Sequence, residues 1–196
     1  MSIPISSATA TATCWAELDA DDKRATLLRA AGEVFAHQGL DAPMPVIAAA
    51  AGAGVGSVYR QFPSKHDLLA ALVVERLEDA ERRAALSLAG SDAPWTALTG
   101  LLWGLAERQV GDDVLGEAMA TVSDHPAVRE ALARTLAALE LVLAAARADG
   151  RLRPDATTLD LRLLFAATRA AGALEPRAWR RMLALGIDAL QARPGA

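Results

Sequence analysis

The stretch Ile47-Ala48-Ala49-Ala50-Ala51-Gly52-Ala53-Gly54-Val55-Gly56-Ser57-Val58-Tyr59-Arg60-Gln61-Phe62-Pro63-Ser64-Lys65 decides how this chain is read. A short helical segment over 45–51 meets a glycine turn at 52–54, and a second short helix follows over 55–61. Two such helices form a helix-turn-helix, a unit able to lay its second helix in a DNA major groove. Charge agrees with that use: residues 42–66 contain no Asp or Glu, while Arg60 and Lys65 lie among them. Gly54, Val55, Gly56 and Ser57 open the second helix, and their small members permit close approach to a DNA backbone. Ser57, Tyr59 and Lys65 offer hydroxyls and a cation to phosphates, and Arg60 and Gln61 are the candidates to line the groove or face bases. Pattern alone leaves a plain helical hairpin with a glycine turn as an equal alternative.

On either side of this stretch, helix punctuation parses nearly everything after Asp19. A first helix is expected over 21–38, with Leu27, Ala31, Val34 and Phe35 on one face and Gly39 as its stop. Pro63 and Ser64 open a long fourth helix whose Ser64 and Asp67 have the spacing of a cap, with Leu69, Leu72, Val73, Leu77 and Ala80 inward. Five more helices are expected over 94–110, 113–122, 126–148, 156–174 and 176–192. Asp92, Asp124 and Asp155 are the expected caps of the helices containing Pro94, Pro126 and Ala156, and Gly150 ends the seventh. The fold class is therefore all-α with about nine helices, and no repeat is visible.

Composition narrows the function. The 196 residues are 53% hydrophobic and 22% charged, enough for a sizeable core. With 20 Lys and Arg against 24 Asp and Glu, the net charge of −4 argues against a histone-like surface but leaves room for a local basic patch. One cysteine, Cys14, excludes an intrachain disulfide and a cysteine-clustered metal site. No apolar run reaches the roughly 18 residues a membrane span needs. The first 20 residues hold no Lys or Arg and make a poor secretory signal. A disordered tail over 1–19, a cytoplasmic location and no membrane partner are expected.

Other chemistry is weakly supported. Gly52-Ala53-Gly54-Val55-Gly56 is G-x-G-x-G rather than G-x-G-x-x-G and follows a helix, not a strand, so it makes a poor nucleotide loop. His37, His66 and His125 stand far apart in sequence, without metal-ligand spacing. Ser64-Lys65-His66-Asp67 contains catalytic residue types, but neighbours in one helical turn do not make a triad. No enzyme, metal or cofactor is expected.

The eighth and ninth helices carry more apolar residues than one stripe requires: Leu161, Leu163, Leu164, Phe165, Ala166, Ala167, Ala170 and Ala171, then Trp179, Met182, Leu183, Gly186, Ile187 and Leu190. A twin subunit would cover the surplus, and Ala170, Ala171, Ala184 and Gly186 would let helices approach closely. The alternative is that both helices complete the monomer's own core.

The block from about Lys23 to Leu72 resembles the DNA-binding domain of the TetR family of bacterial transcriptional regulators. Ala30, Ala31, Phe35, Gly39, Ile47, Ala48, Ala51, Gly52, Tyr59, Phe62, Lys65 and Leu69 carry the likeness in order and spacing. Two positions depart from it: Ala42-Pro43-Met44-Pro45 lacks the Ser or Thr common at the start of helix two, and Ala53 stands where Val is usual. The resemblance implies a helix-turn-helix DNA-binding domain over 20–66 and a helical ligand-binding and dimerisation domain over 67–196. It also implies a homodimer, a DNA operator, and a small-molecule effector held among helices four to eight that shifts the spacing of the DNA-reading helices. The expected function is a repressor released from a palindromic operator by a mostly apolar ligand. Trp95, Leu98, Leu102, Trp103, Met119, Val122, His125 and Phe165 are the candidate pocket wall, bulky apolar groups with one polar handle. The rival reading is a helical carrier protein with a vestigial DNA-reading unit.

Overall fold

The computed structural model describes residues 15–90, 93–109 and 113–192. Residues 1–14 of the expected tail with Cys14, the Asp92 cap and the helix end at Val110 lie outside them. A 3-10 turn, Trp15–Glu17, falls within the stretch read as tail. Nine helices follow among the described residues: α1 (Ala20–Gln38), α2 (Met44–Ala50), α3 (Val55–Gln61), α4 (Lys65–Ala89), α5 (Pro94–Gln109), α6 (Asp113–Thr121), α7 (Pro126–Ala148), α8 (Thr158–Leu174) and α9 (Ala178–Leu190). The chain is all-α.

Two compact units result, one ending at Lys65 and the other beginning at His66. In the first, α1 packs on α2 and α2 on α3. Asp19 starts α1 by accepting the Asp22 N–H at 2.8 Å, and Gly39 stops it at φ +76°, donating to the Phe35 carbonyl. The buried face of α1 includes Leu27, Ala31, Val34 and Phe35, as the 3.6-residue period requires.

In the second unit one core draws Leu98, Leu101 and Leu102 of α5, Val142 and Leu143 of α7, Leu161 and Leu164 of α8, and Leu183 and Ile187 of α9. Each fully buried leucine contributes about 1.5–3 kcal/mol. Polar ties register α4 on α7: the buried Thr135 hydroxyl donates to the Leu77 carbonyl at 3.0 Å, and Arg134 reaches Glu78 and Glu81. Arg153 N–H donates to the Leu190 carbonyl and Ala192 N–H to the Arg151 carbonyl, so the loop before α8 is stitched to the end of α9.

Two expected caps are corrected. Pro126 is the first residue of α7, so the cap is its predecessor: His125 Nδ1 accepts the Ala127 N–H at 3.3 Å, and Asp124 is one residue too early. α8 begins at Thr158 rather than at 156, because Thr157 and Asp160 close a capping box. Asp155 instead grips Arg153 through both carboxylate oxygens. α9 is also shorter than expected at each end, spanning Ala178–Leu190.

Candidate nucleic-acid interface

The turn between α2 and α3 is built by backbone geometry. Gly52 adopts φ +65°, a left-handed conformation open to glycine at little cost, and Ala53 N–H then folds back onto the Ala48 carbonyl at 2.8 Å. The carbonyl of Gly54 starts α3 by accepting from Ser57 N–H at 2.8 Å. Neither short helix has a side-chain cap; α2 is capped by Pro43, consistent with the missing hydroxyl there. Burial of Ile47, Ala48, Val58 and Phe62 anchors the pair to the unit's interior.

With Val58 inward, the opposite face of α3 stands out. Val55 is 39% and Tyr59 46% exposed, and Gly54, Gly56 and Arg60 are exposed beside them. Ser57 and Gln61 are half-buried on the flank. Arg60 Nη2 donates to Ser57 Oγ at 2.8 Å, so these two candidate contacts act as one unit. Lys65 is half-buried, its ammonium 5.8 Å from the centroid of the Phe35 ring, while the Arg24 guanidinium lies 4.7 Å over Phe62. Every candidate DNA contact thus belongs to α3, to the Gly54 that caps it, or to the first residue of α4. Trp15 and Lys23, which are not among the candidates read from the sequence, join Ser57, Arg60 and Gln61 around an open-sided cavity of about 280 Å3. In the sequence Trp15 stands out only as a bulky indole in a stretch without helical period.

The candidate pocket residues divide into two groups. Trp95, Leu98 and Leu102 are buried in the second unit's core, and Trp103 and Phe165 pack against it. Trp103 also meets Trp179 at 6.0 Å between ring centroids. Met119, Val122 and His125 lie outside that cluster, Val122 fully buried and the other two half-buried. Both nitrogens of His125 have protein partners: Nδ1 takes the Ala127 N–H, and Nε2 lies 3.4 Å from Asp67 Oδ1. Its ring stands 5.5 Å from that of His66, which pairs with Asp124 at 3.7 Å. Among the described residues no group of three His, Cys, Asp or Glu could hold a metal ion, and no helix is long and apolar enough to cross a membrane.

The electrostatic perturbations stand on scaffold residues. A hydrogen bond from Arg83, with Arg108 and Arg82 nearby, holds the Asp79 carboxyl below its ordinary value. Hydrogen bonds from Thr157 do the same for Asp160, and Arg153 for Asp155.

Residues 27–72 match the family described as "Bacterial regulatory proteins, tetR family". A solved TetR transcription regulatory protein from Mycobacterium vanbaalenii is 30% identical, with 88% of this chain and 96% of that one covered and a TM-score of 0.65. A TetR transcriptional regulator from Streptomyces coelicolor is 27% identical, with coverage of 88% and 99% and a TM-score of 0.65. SmeT, the repressor of the Stenotrophomonas maltophilia multidrug efflux pump SmeDEF, is 26% identical, with coverage of 88% and 91% and a TM-score of 0.64. Comparison with curated proteins gives no match.

Proposed function

The chain belongs to the TetR family of bacterial regulatory proteins, and we propose from this that it is a homodimeric, sequence-specific repressor released from a palindromic operator by a small, mostly apolar ligand. The observation that carries the DNA-binding part is the outward face of α3. Val55, Tyr59 and Arg60 project from a helix held by Val58, in a segment free of carboxylates from 42 to 66. Arg60 and Gln61 line the groove or its phosphate edge, Ser57, Tyr59 and Lys65 hold phosphates, and the two roles can exchange between these sets.

Dimerisation is supported by leucines that the single chain leaves uncovered: Leu159, Leu163 and Leu174 on α8 are 55%, 60% and 88% exposed, and Leu185 on α9 is 46% exposed. A two-fold axis through such a face presents two copies of α3 to successive major grooves, roughly 34 Å apart. Release then needs only a ligand that prefers a different spacing. The half-buried rings of Trp103 and Phe165 offer it apolar surface beside the packed Trp95, Leu98 and Leu102. His125 contributes an apolar edge rather than a free donor, since both its nitrogens are engaged.

The test is fluorescence-anisotropy titration of the full chain on duplexes enriched from genomic fragments, repeated across salt concentrations. One dimer per palindrome, with log affinity falling steeply and linearly in log salt, is the expected result. Equally weak binding to every duplex by a folded dimer would overturn it in favour of a carrier with a disabled reader.

A further inference from the structure

The open-sided cavity beside α3 gathers cationic, hydrogen-bonding and aromatic side chains around one space. Ser57, Arg60 and Gln61 form one flank of α3 at i, i+3, i+4 spacing, Lys23 comes from the first turn of α1, and Trp15 from the 3-10 turn before it. Two cations, a hydroxyl, a carboxamide and an indole thus border a space of about 280 Å3, and no carboxylate is among its described lining residues. The acids nearest in sequence are Glu17, Asp19, Asp21 and Asp22, and all of them are exposed. Asp19 is occupied in capping α1. Arg60 spends one N–H on Ser57, which fixes its direction and leaves its other donors available.

We propose that this cavity is a sugar–phosphate subsite of the DNA interface, in which Lys23 and Arg60 hold one phosphodiester of the operator backbone and the Trp15 indole packs against the adjoining deoxyribose. The assignment rests on the DNA-binding role proposed for α3 and extends it to a segment N-terminal to the helix-turn-helix. The chemistry is matched part by part: cations to the anionic oxygens, the Ser57 hydroxyl and Gln61 amide to remaining acceptors, and an apolar plane to the sugar. The cavity flanks the helix that faces the groove, and a backbone strand borders every groove. Trp15 and Lys23 are then both direct contacts to that strand, one apolar and one ionic.

Salt-dependent anisotropy on the full chain tests it, with Lys23→Gln, Trp15→Ala and Trp15→Phe compared with the parent on a selected operator and on an unrelated duplex. Lys23→Gln should weaken both duplexes about equally and lower the log–log salt slope by about 0.9. Trp15→Ala should weaken binding roughly tenfold with an unchanged slope, and Trp15→Phe, which keeps an apolar ring, should recover most of that loss. Circular dichroism melts identify any variant that has merely unfolded, and Trp15→Phe then carries the comparison through its emission. Subtracting its emission change on DNA addition from that of the parent isolates the Trp15 signal. Parent-like affinity and slope in Lys23→Gln, with no Trp15 emission change on DNA, would overturn the subsite while leaving DNA binding intact. Failure of the parent itself to bind any duplex would instead sink the regulator reading. Inorganic phosphate titrated without DNA addresses the other source of the same anion: a saturable response absent from Trp15→Phe would reassign the cavity to a free anion.

Discussion

Lys65 serves two demands with one side chain. Its ammonium stands over the buried Phe35 ring, and its position at the start of α4 puts it at the end of the acid-free segment that carries α3. Lys65→Ala is therefore expected to act twice. Binding to every duplex should weaken and the salt slope should fall by about one unit. Thermal stability should also drop slightly, since a partly solvated cation over an aromatic ring is worth about 0.5–1 kcal/mol. Anisotropy and calorimetry on one sample separate the two, and an unchanged slope removes Lys65 from the phosphate contacts. Tyr59 carries no comparable packing role, being 46% exposed. Tyr59→Phe should lower affinity for all sequences alike and leave the melting temperature in place, because only the hydroxyl is lost.

Among the elements, α8 shows how local chemistry sets a boundary. The Thr157 N–H and hydroxyl both donate to one Asp160 oxygen, at 2.7 and 2.8 Å, and this box starts the helix two residues later than a cap at Asp155 would. Asp160→Ala should destabilise the chain by about 1 kcal/mol at neutral pH in urea melts. The effect has a pH signature. Hydrogen bonds from the Thr157 side chain and then its backbone hold the Asp160 carboxyl below the ordinary carboxylate value, so its contribution is complete above that value. It is lost as pH falls through the lowered folded value. Parent and variant should therefore converge in acid, below about pH 4; a gap that stays constant to about pH 3 would show that ionisation plays no part. Packing sets the next boundary. A Cβ built at Gly186 of α9 would run into the Leu164 side chain of α8, so this glycine lets the two helices approach within the protomer itself.

For the molecule as a whole, the uncovered leucines of α8 and α9 carry the expected assembly. Leu163→Glu places a charge where an apolar partner face is expected, at a site already 60% exposed. The variant should keep its helicity, shift to monomer in sedimentation equilibrium, and lose the steep operator affinity that two coupled half-sites provide. A dimer that survives this substitution would move the interface elsewhere. Core residues of the same helices, Leu164 and Leu183, would give a different result: truncation there should cost about 2–5 kcal/mol through a cavity.

The helices were legible in the residues alone, because helix signals are local. The α3 and α7 boundaries agree residue for residue with the punctuation around Val55–Gln61 and Pro126–Ala148, where glycine and proline leave few options. The acid-free reading segment was likewise visible, since a charge pattern along a chain needs no coordinates. Whatever depends on residues distant in sequence had to wait for the folded chain. His66 and His125, which read as isolated, meet at 5.5 Å because α4 and α7 are laid side by side with their starts together. Only the fold separates Leu163, turned outward, from Leu164, turned into the core, on a helix whose apolar face reads as wider than one stripe. Trp15 and Lys23 reach the flank of α3 through more than thirty residues of intervening chain. Periodicity reports which faces of a helix are apolar, but which neighbour covers each face is settled by packing, where side chains from several helices must fill the same volume.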